Sequence, residues 1–457
     1  MLKTFDPFTG QTTGEFEFDE LAKVQEKLRR LHSTQSQWNN LRLDDRLRVV
    51  KAGLEYFDKH RDQIAMDICE QMGRPFHQAK GELNGFFERA DYMCSIAKES
   101  LQPWTVPDKP QFQRRIEHEA FGVIFVLAAW NFPLVIAVNS VVPGLLAGNT
   151  ILLKHSNLTP KIGEHFAKAF TFEGQPLVMN TITSHHTTGM TIESGLVDHV
   201  IFTGSVAGGR SILEHTNKRF ITPLLELGGK DAAYVHNDAD LKHAIDTIVD
   251  GAMFNAGQSC CGIERAYIHE SLYDDFIKGA QDLLQSFVLG DPKNEKTNMG
   301  PLAKASAADT MKAQLEQAVT GGAKVLCGGH AKQIEKGTFF EPTLVVDVQQ
   351  DMVLMQEENF GPILPVMKVK NLGEAIFKAN DSQFGLTAAI FTQSPSVAEE
   401  FAIKVKAGTI FMNRCDYLDP ALPWTGYYCS GCGGSSLSRV GFMHVTRRKS
   451  IHFKFLQ

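Results

Sequence analysis

The chain has 457 residues, with 46 Lys and Arg against 52 Asp and Glu, for a formal net charge of −6. That length admits about two or three domains with substantial cores, and 43% hydrophobic with 21% charged residues is the texture of a soluble globular protein. With no Lys/Arg-rich run, nucleic acid and anionic membranes are excluded as partners. The opening Met1-Leu2-Lys3-Thr4-Phe5-Asp6-Pro7 has neither an apolar core nor a cleavage site, so no secretory signal is expected. The 8 cysteines show no disulfide-framework rhythm, and reduced thiols in the cytoplasm are the expectation.

In chain order, helical patterns fill 20–36, 44–73 and 78–101, followed by a Pro-bearing connector at 102–113. Between Glu119 and Lys154 there is no charged side chain. Asn131, Pro133, Asn139, Pro143, Gly144, Gly148 and Asn149 interrupt that stretch, which argues against a membrane span. It reads instead as strand, loop, helix and strand buried in an α/β domain. Buried-strand runs at 123–128, 150–153, 199–203, 223–227 and 232–235 alternate with helical patterns, which predicts a parallel, doubly wound sheet. An amphipathic helix follows over 240–254, with Asp238 or Asp240 as its cap and Asn255 and Gly257 at its end. A second α/β series places strands near 265–269, 365–369, 388–392 and 408–412. The Gly- and Ser-rich tail 420–457 turns strand-like at 450–455, and His185-His186 reads as a solvated turn. Two α/β units with a cleft between them would suit a cofactor and a substrate.

Four local settings carry chemistry. Gly257-Gln258-Ser259-Cys260-Cys261 puts a thiol just past a helix end in a small-residue turn, where a depressed pKa would make it a nucleophile; two buried structural cysteines are the alternative. Leu225-Glu226-Leu227-Gly228-Gly229-Lys230 ends a buried strand on a carboxylate, either a general base or a structural partner of Lys230. Ala129-Trp130-Asn131-Phe132-Pro133 offers an amide to a developing oxyanion, or simply to the loop backbone. Phe202-Thr203-Gly204-Ser205-Val206-Ala207-Gly208-Gly209 runs from strand through a Gly-rich turn into a helix N-terminus fit for a pyrophosphate, though it is not the GxGxxG pattern.

Together and in this order, these runs resemble the aldehyde dehydrogenase family. Gly148-Asn149-Thr150 with Lys154, and Glu357-Glu358-Asn359-Phe360-Gly361-Pro362, add to the resemblance. It implies a Rossmann-like cofactor domain (1–101 and 118–227), an α/β catalytic domain (228–419) and a small β oligomerisation arm (102–117 and 420–457). It further implies NAD or NADP as cofactor, a homodimer or homotetramer, no metal, and a small-molecule aldehyde as substrate, with semialdehydes among the candidates. By resemblance, Cys260 is the nucleophile that forms a thiohemiacetal and then a thioester. Asn131 holds the oxyanion, and Glu226 activates the hydrolytic water. Members that pass the acyl group to coenzyme A generally lack this Glu, so Glu226 favours hydrolysis.

For the cofactor, the resemblance assigns Lys154 to the adenosine ribose, Trp130 and Ser205 to the pyrophosphate side, and Glu358 and Phe360 to the nicotinamide side, with Gly204, Gly209 and Leu227 as further cofactor-binding residues. Asn157 stands where NAD-preferring members often carry a Glu, so NADP+ should be tolerated. Two departures stand out. The Lys and the Glu that many members use to relay protons to the general base are absent: Ser140 replaces the first, and residues 435–442 contain no acid. The tail loop also adds Cys429 and Cys432, whose spacing reads as plain loop residues ahead of a redox pair or zinc ligands. Arg414 is a candidate for an anionic substrate tail, against the simpler reading of a surface arginine. A cofactor-independent thiol hydrolase and an inactive binding protein are the competing functional classes; reduced-nicotinamide absorbance separates them.

Overall fold

Hydrophobic runs bounded by Gly and Pro become the buried strands of two largely parallel sheets. The computed structural model describes residues 1–456. The first sheet has six strands in the order Gly431–Cys432, Leu224–Glu226, His199–Thr203, Val123–Ala128, Thr150–His155, Val178–Asn180. All neighbours are parallel except the short Gly431–Cys432 strand. Reading outward from Val123–Ala128, the chain first fills one side of the sheet and then the other. The connections therefore part between Val123–Ala128 and His199–Thr203, the point at which doubly wound sheets open a ligand crevice.

The charge-free stretch is buried as expected. Val123–Ala128 and Thr150–His155 flank the helix Pro133–Leu146, which is sandwiched between this sheet and the long helix Phe76–Ser100. Among the described residues no helix is long and apolar enough to cross a membrane.

The second sheet has seven strands, in the order Lys324–Cys327, Thr343–Val346, Ile363–Val369, Ile263–His269, Asp231–Val235, Thr387–Phe391, Thr409–Met412. Only its first pair is antiparallel. Its helix Leu241–Met253 is capped by Asp240, whose side chain accepts the His243 N–H at 3.1 Å. The apolar face of that helix, from Ala244 through Ile248 to Met253, enters the largest core cluster. A third, antiparallel sheet joins Thr446–Lys454, Phe112–Ala120 and Trp104–Thr105.

The structure departs from the sequence reading in three places. The pattern over 44–73 is two helices, Leu43–Lys59 and Arg61–Met72. They part at His60, whose Nδ1 lies 2.7 Å from the Tyr56 carbonyl and whose φ is −112°. His185 and His186 are exposed but open the helix His185–Glu193, capped by Ser184, instead of lying in a turn. The Ser184 hydroxyl supplies the N-cap that the reading overlooked. Finally, only Thr446–Lys454 of the tail joins the third sheet: Tyr427–Tyr428 pairs with Phe384–Gly385, and Gly431–Cys432 pairs with Leu224–Glu226. The tail thus adds an edge strand to the first sheet and forms a separate two-stranded sheet with Phe384–Gly385 before it reaches the third.

Candidate active site

The crevice of the first sheet gathers most of the residues expected to meet a cofactor. Trp130 and Asn131 follow the strand Val123–Ala128, and Gly204 and Ser205 follow His199–Thr203. The Gly204 N–H donates to the Glu226 carbonyl at 3.0 Å, which locks the two turns together. Ser205 caps the helix Val206–Asn217 by accepting the Gly208 N–H at 3.1 Å. The first N–H groups of that helix, at Val206 and Ala207, have no partner within it, and they carry its positive end. Gly209 brings the first turn against Leu227: a Cβ there would lie 2.8 Å from the Leu227 side chain.

Lys154, half-buried at the end of its strand, has no carboxylate within reach among the described residues, and burial holds its ammonium down to about 8. A positive helix end and an unpaired lysine fit the phosphates and ribose of a dinucleotide. Farther along, the Trp130 and Phe360 rings meet edge to face, with centroids 5.7 Å apart. The Gly229 N–H donates to Glu358 at 2.9 Å. Asn157 follows Lys154 by three residues; it lines a pocket of about 330 Å³ with Gln71, Leu158, Leu302, Ala303 and the N-terminal strand, and its buried Oδ1 has no partner among the described residues.

The candidate nucleophile sits in a turn built by backbone strain. Asn255, Ala256 and Gly257 all take positive φ, 55°, 55° and 69°. Gly257 is required on a second count, since a Cβ there would lie 2.2 Å from the Gly361 backbone. Gly229 likewise presses against the turn, its missing Cβ only 2.1 Å from the Cys260 carbonyl oxygen. Cys260 itself is partly exposed, at the edge of a small apolar cluster formed by Cys261, Leu386, Trp424 and Leu437. Cys261 is buried and donates to Asp416 at 3.0 Å; the Cys260 sulfur, burial and Asp416 together push its thiol well up. Of the two thiols, Cys260 is therefore the accessible one and Cys261 the quiet one. Asn131 is buried, and its Nδ2 donates to the Gln258 carbonyl at 3.2 Å, two residues before Cys260, leaving its second N–H without a partner among the described residues.

Glu226 is buried at the end of its strand. Burial raises its pKa; Ser436, Arg89 and the Thr203 hydroxyl at 3.4 Å pull the other way. Its Oε1 has no partner among the described residues. The expected alternative, a pair with Lys230, does not occur. Lys230 is bonded to Glu264 at 2.6 Å.

A nucleophile, an amide and a buried carboxylate thus converge next to a dinucleotide crevice, and comparison with known proteins agrees with that chemistry. The aldehyde dehydrogenase family model matches residues 1–451. The chain belongs to the aldehyde dehydrogenase family. It is an enzyme of that family, working with NAD or NADP. The chain is 30% identical to a D-glyceraldehyde dehydrogenase (NADP(+)) from Picrophilus torridus, over 99% of this chain and 93% of that protein. It is 31% identical to a succinate-semialdehyde dehydrogenase [NADP(+)] from Deinococcus radiodurans, over 98% and 94%. The solved structure of lactaldehyde dehydrogenase from Escherichia coli superposes with a TM-score of 0.95 at 30% identity, covering 99% of this chain and 95% of that one.

Within this aldehyde dehydrogenase, the sequence reading missed the groups that hold Asn131. The Arg74 guanidinium donates to the Asn131 carbonyl, to Glu82 and, at 3.1 Å, to Asn255 Oδ1. Glu82 in turn accepts the N–H groups of Leu134 and Val135 at 2.8 and 3.2 Å, taking the place of a cap on the helix that follows Asn131. A signal was present. Glu82 and Arg89 fall on the apolar stripe of the helix Phe76–Ser100, among Ala79, Leu83, Phe86 and Ala90, and a charge on such a stripe calls for a buried partner. Arg414 is exposed, its guanidinium 3.5 Å from the centre of the Tyr417 ring. Cys429 and Cys432 are free thiols, and no cluster of three or more metal-ligating side chains occurs among the described residues.

Proposed function

We propose that the protein oxidises an aldehyde to the carboxylic acid with NAD+ or NADP+ through a covalent intermediate on Cys260. The observation that carries this reading is the packing of three groups around one strained turn. Asn131 is bonded to Gln258, Gly229 touches Cys260, and Glu226 closes the strand that leads into Gly229. The Cys260 thiolate attacks the aldehyde carbon, and the oxygen that becomes negative is stabilised by Asn131 Nδ2 and the Cys260 N–H. NAD(P)+, when bound, would supply the hydride acceptor that the oxidation needs, so that the thiohemiacetal on Cys260 becomes a thioester. Glu226 then takes a proton from water as that water attacks the thioester carbonyl, and the acid leaves with the Cys260 thiolate restored. Without the relay residues of many relatives, the proton leaves Glu226 through water or past the Thr203 hydroxyl.

Trp130, Gly204, Ser205, Gly209 and Leu227 would hold the pyrophosphate side of the cofactor, Lys154 the adenosine ribose, and Glu358 with Phe360 the nicotinamide side. Asn157, three residues after Lys154, is neutral and would not repel a 2′-phosphate, which supports tolerance of NADP+.

We assign residues 1–101 and 118–227 to cofactor binding, 228–419 to catalysis, and 102–117 with the end of the tail to a homodimer or homotetramer arm. The exposed Phe453, Phe455 and Leu456 at the end of the third sheet support that assembly. Eight free thiols suit the reducing cytoplasm.

The test is a panel of aldehydes assayed by reduced-nicotinamide absorbance with the wild type, Cys260→Ala and Cys261→Ala. Turnover should disappear in Cys260→Ala and persist in Cys261→Ala. The reverse pattern would move the nucleophile to Cys261, and a wild type that reduces no nicotinamide with any aldehyde of the panel would sink the reading as a whole.

A further inference from the structure

Arg89 is a buried cation that no carboxylate among the described residues claims. It lies on the helix Phe76–Ser100 with 9% of its surface accessible. Its Nη1 donates to the Val135 carbonyl at 3.2 Å and to Asn139 Oδ1 at 3.3 Å, and among the described residues its other nitrogens make no hydrogen bond. The buried Arg74 nearby on the same side is fully engaged, with Glu82, Asn255 and the Asn131 carbonyl. A buried guanidinium left without an anion is costly, and it persists where a ligand supplies the anion.

The surroundings identify where that anion would come from. Val135 and Asn139 lie on the face of the helix Pro133–Leu146 that continues down from Asn131. The titratable groups near Arg89 are Cys261, Glu82, Glu226 and Glu88; Cys261 is held as the neutral thiol, and Glu226 feels the guanidinium but makes no ion pair with it among the described residues. Glu82 is bound to Arg74 and two backbone N–H groups, and Glu88 is committed at the surface to the Tyr417 hydroxyl. The loop carrying Tyr417 packs close by, the tyrosine hydroxyl on Glu88. Its Asp416 accepts from Ser259 at 3.2 Å and from Cys261 at 3.0 Å, beside the nucleophile. Its Arg414 stacks on Tyr417 at the rim. Arg89 thus lies inward of a loop that touches both the Cys260 turn and the neighbouring residue on its own helix.

We propose that Arg89 anchors a carboxylate at the far end of the substrate, so that aldehydes bearing a distal carboxylate are the preferred class. This deepens the reading of Cys260 as nucleophile and rests on it. The guanidinium fixes the acid end by two parallel N–H···O bonds from Nη2 and Nε, and the aldehyde end then reaches the Cys260 and Asn131 pair. Arg414 at the rim draws the anion inward.

The test compares kcat/KM for succinate semialdehyde and for butanal, which share a four-carbon chain and differ in the carboxylate. The wild type should prefer the acid by ~100-fold, the scale of a charge-assisted bond to a desolvated cation. Arg89→Met should erase that ratio through KM for the acid, and Arg89→Lys should restore part of it. A wild type that does not discriminate overturns the proposal without any variant. So does an Arg89→Met enzyme that keeps the ratio while kcat falls equally for both aldehydes, because Arg89 would then serve Glu226 or the fold. Loss of nicotinamide reduction with both aldehydes in the wild type would instead count against the Cys260 reading.

Discussion

The ammonium of Lys230 lies 2.6 Å from Oε2 of Glu264, with both side chains enclosed. The same carboxylate accepts the N–H groups of Asn359 and Phe360 at 2.8 and 2.9 Å. One ion pair therefore fixes the strand after Glu226, frees Glu226 from a neighbouring cation, and holds the Glu358–Phe360 segment over the crevice. The two partners are not equivalent. Lys230 donates to no other described residue, whereas Glu264 keeps two backbone donors. Glu264→Leu should cost about 3–5 kcal/mol, because it strands a buried ammonium. Lys230→Met should cost less, about 1–3 kcal/mol. Thermal and urea unfolding of the two variants check the order, and KM for the cofactor should rise in both.

Arg74 does for Asn131 what Glu264 does for Phe360. Its flat fork reaches Glu82, Asn255 and the Asn131 carbonyl at once, and lysine cannot reproduce that geometry. Arg74→Lys should therefore lower kcat about 10-fold or more, with KM for the aldehyde little changed, since an oxyanion donor acts in the transition state. Steady-state kinetics beside a melting curve separate this from simple unfolding.

Lys154 predicts a pH signature in cofactor use. Burial holds its ammonium down to about 8, so it is charged below that pH and neutral above it. An NADP+ phosphate near the ribose loses its partner as the lysine deprotonates. The kcat/KM for NADP+ should fall as pH rises through about 8, and that for NAD+ should fall less. Lys154→Met should flatten the NADP+ profile and lower it near neutral pH.

Glu226 sets the acid side of the activity profile. Burial raises its pKa above the ordinary carboxylate value, against the opposing pull of Ser436, Arg89 and Thr203. The base is active only when ionised, so hydrolysis is lost as pH falls through that raised value. Removing a stabilising hydroxyl with Ser436→Ala should move the limb to still higher pH. An unmoved limb in that variant would mean that another group carries the titration.

The strands and the crevice were legible from the sequence because their runs are apolar, short and punctuated by Gly and Pro. Val123–Ala128 and His199–Thr203 emerge with the bounds the pattern gives, and the turns at their ends carry Asn131 and Ser205. The break at His60 was not legible, since a side chain that takes its own helix's carbonyl leaves the apolar period intact. Nor were the partners of Lys230, Arg74 and Cys261, which lie far along the chain or on another element, at Glu264, Glu82 and Asp416, and meet only through the tertiary fold.

The covalent step on Cys260 is the central claim, and Glu226→Gln isolates it. The amide that this substitution introduces is nearly isosteric with the carboxylate and cannot activate water, so the acyl group should be trapped. Rapid mixing with aldehyde and NAD(P)+ should release one equivalent of reduced nicotinamide per active site and then slow sharply. Mass spectrometry of the quenched protein should find the acyl mass on the peptide bearing Cys260. Steady turnover at the wild-type rate, with no acyl group on that peptide, would contradict the account.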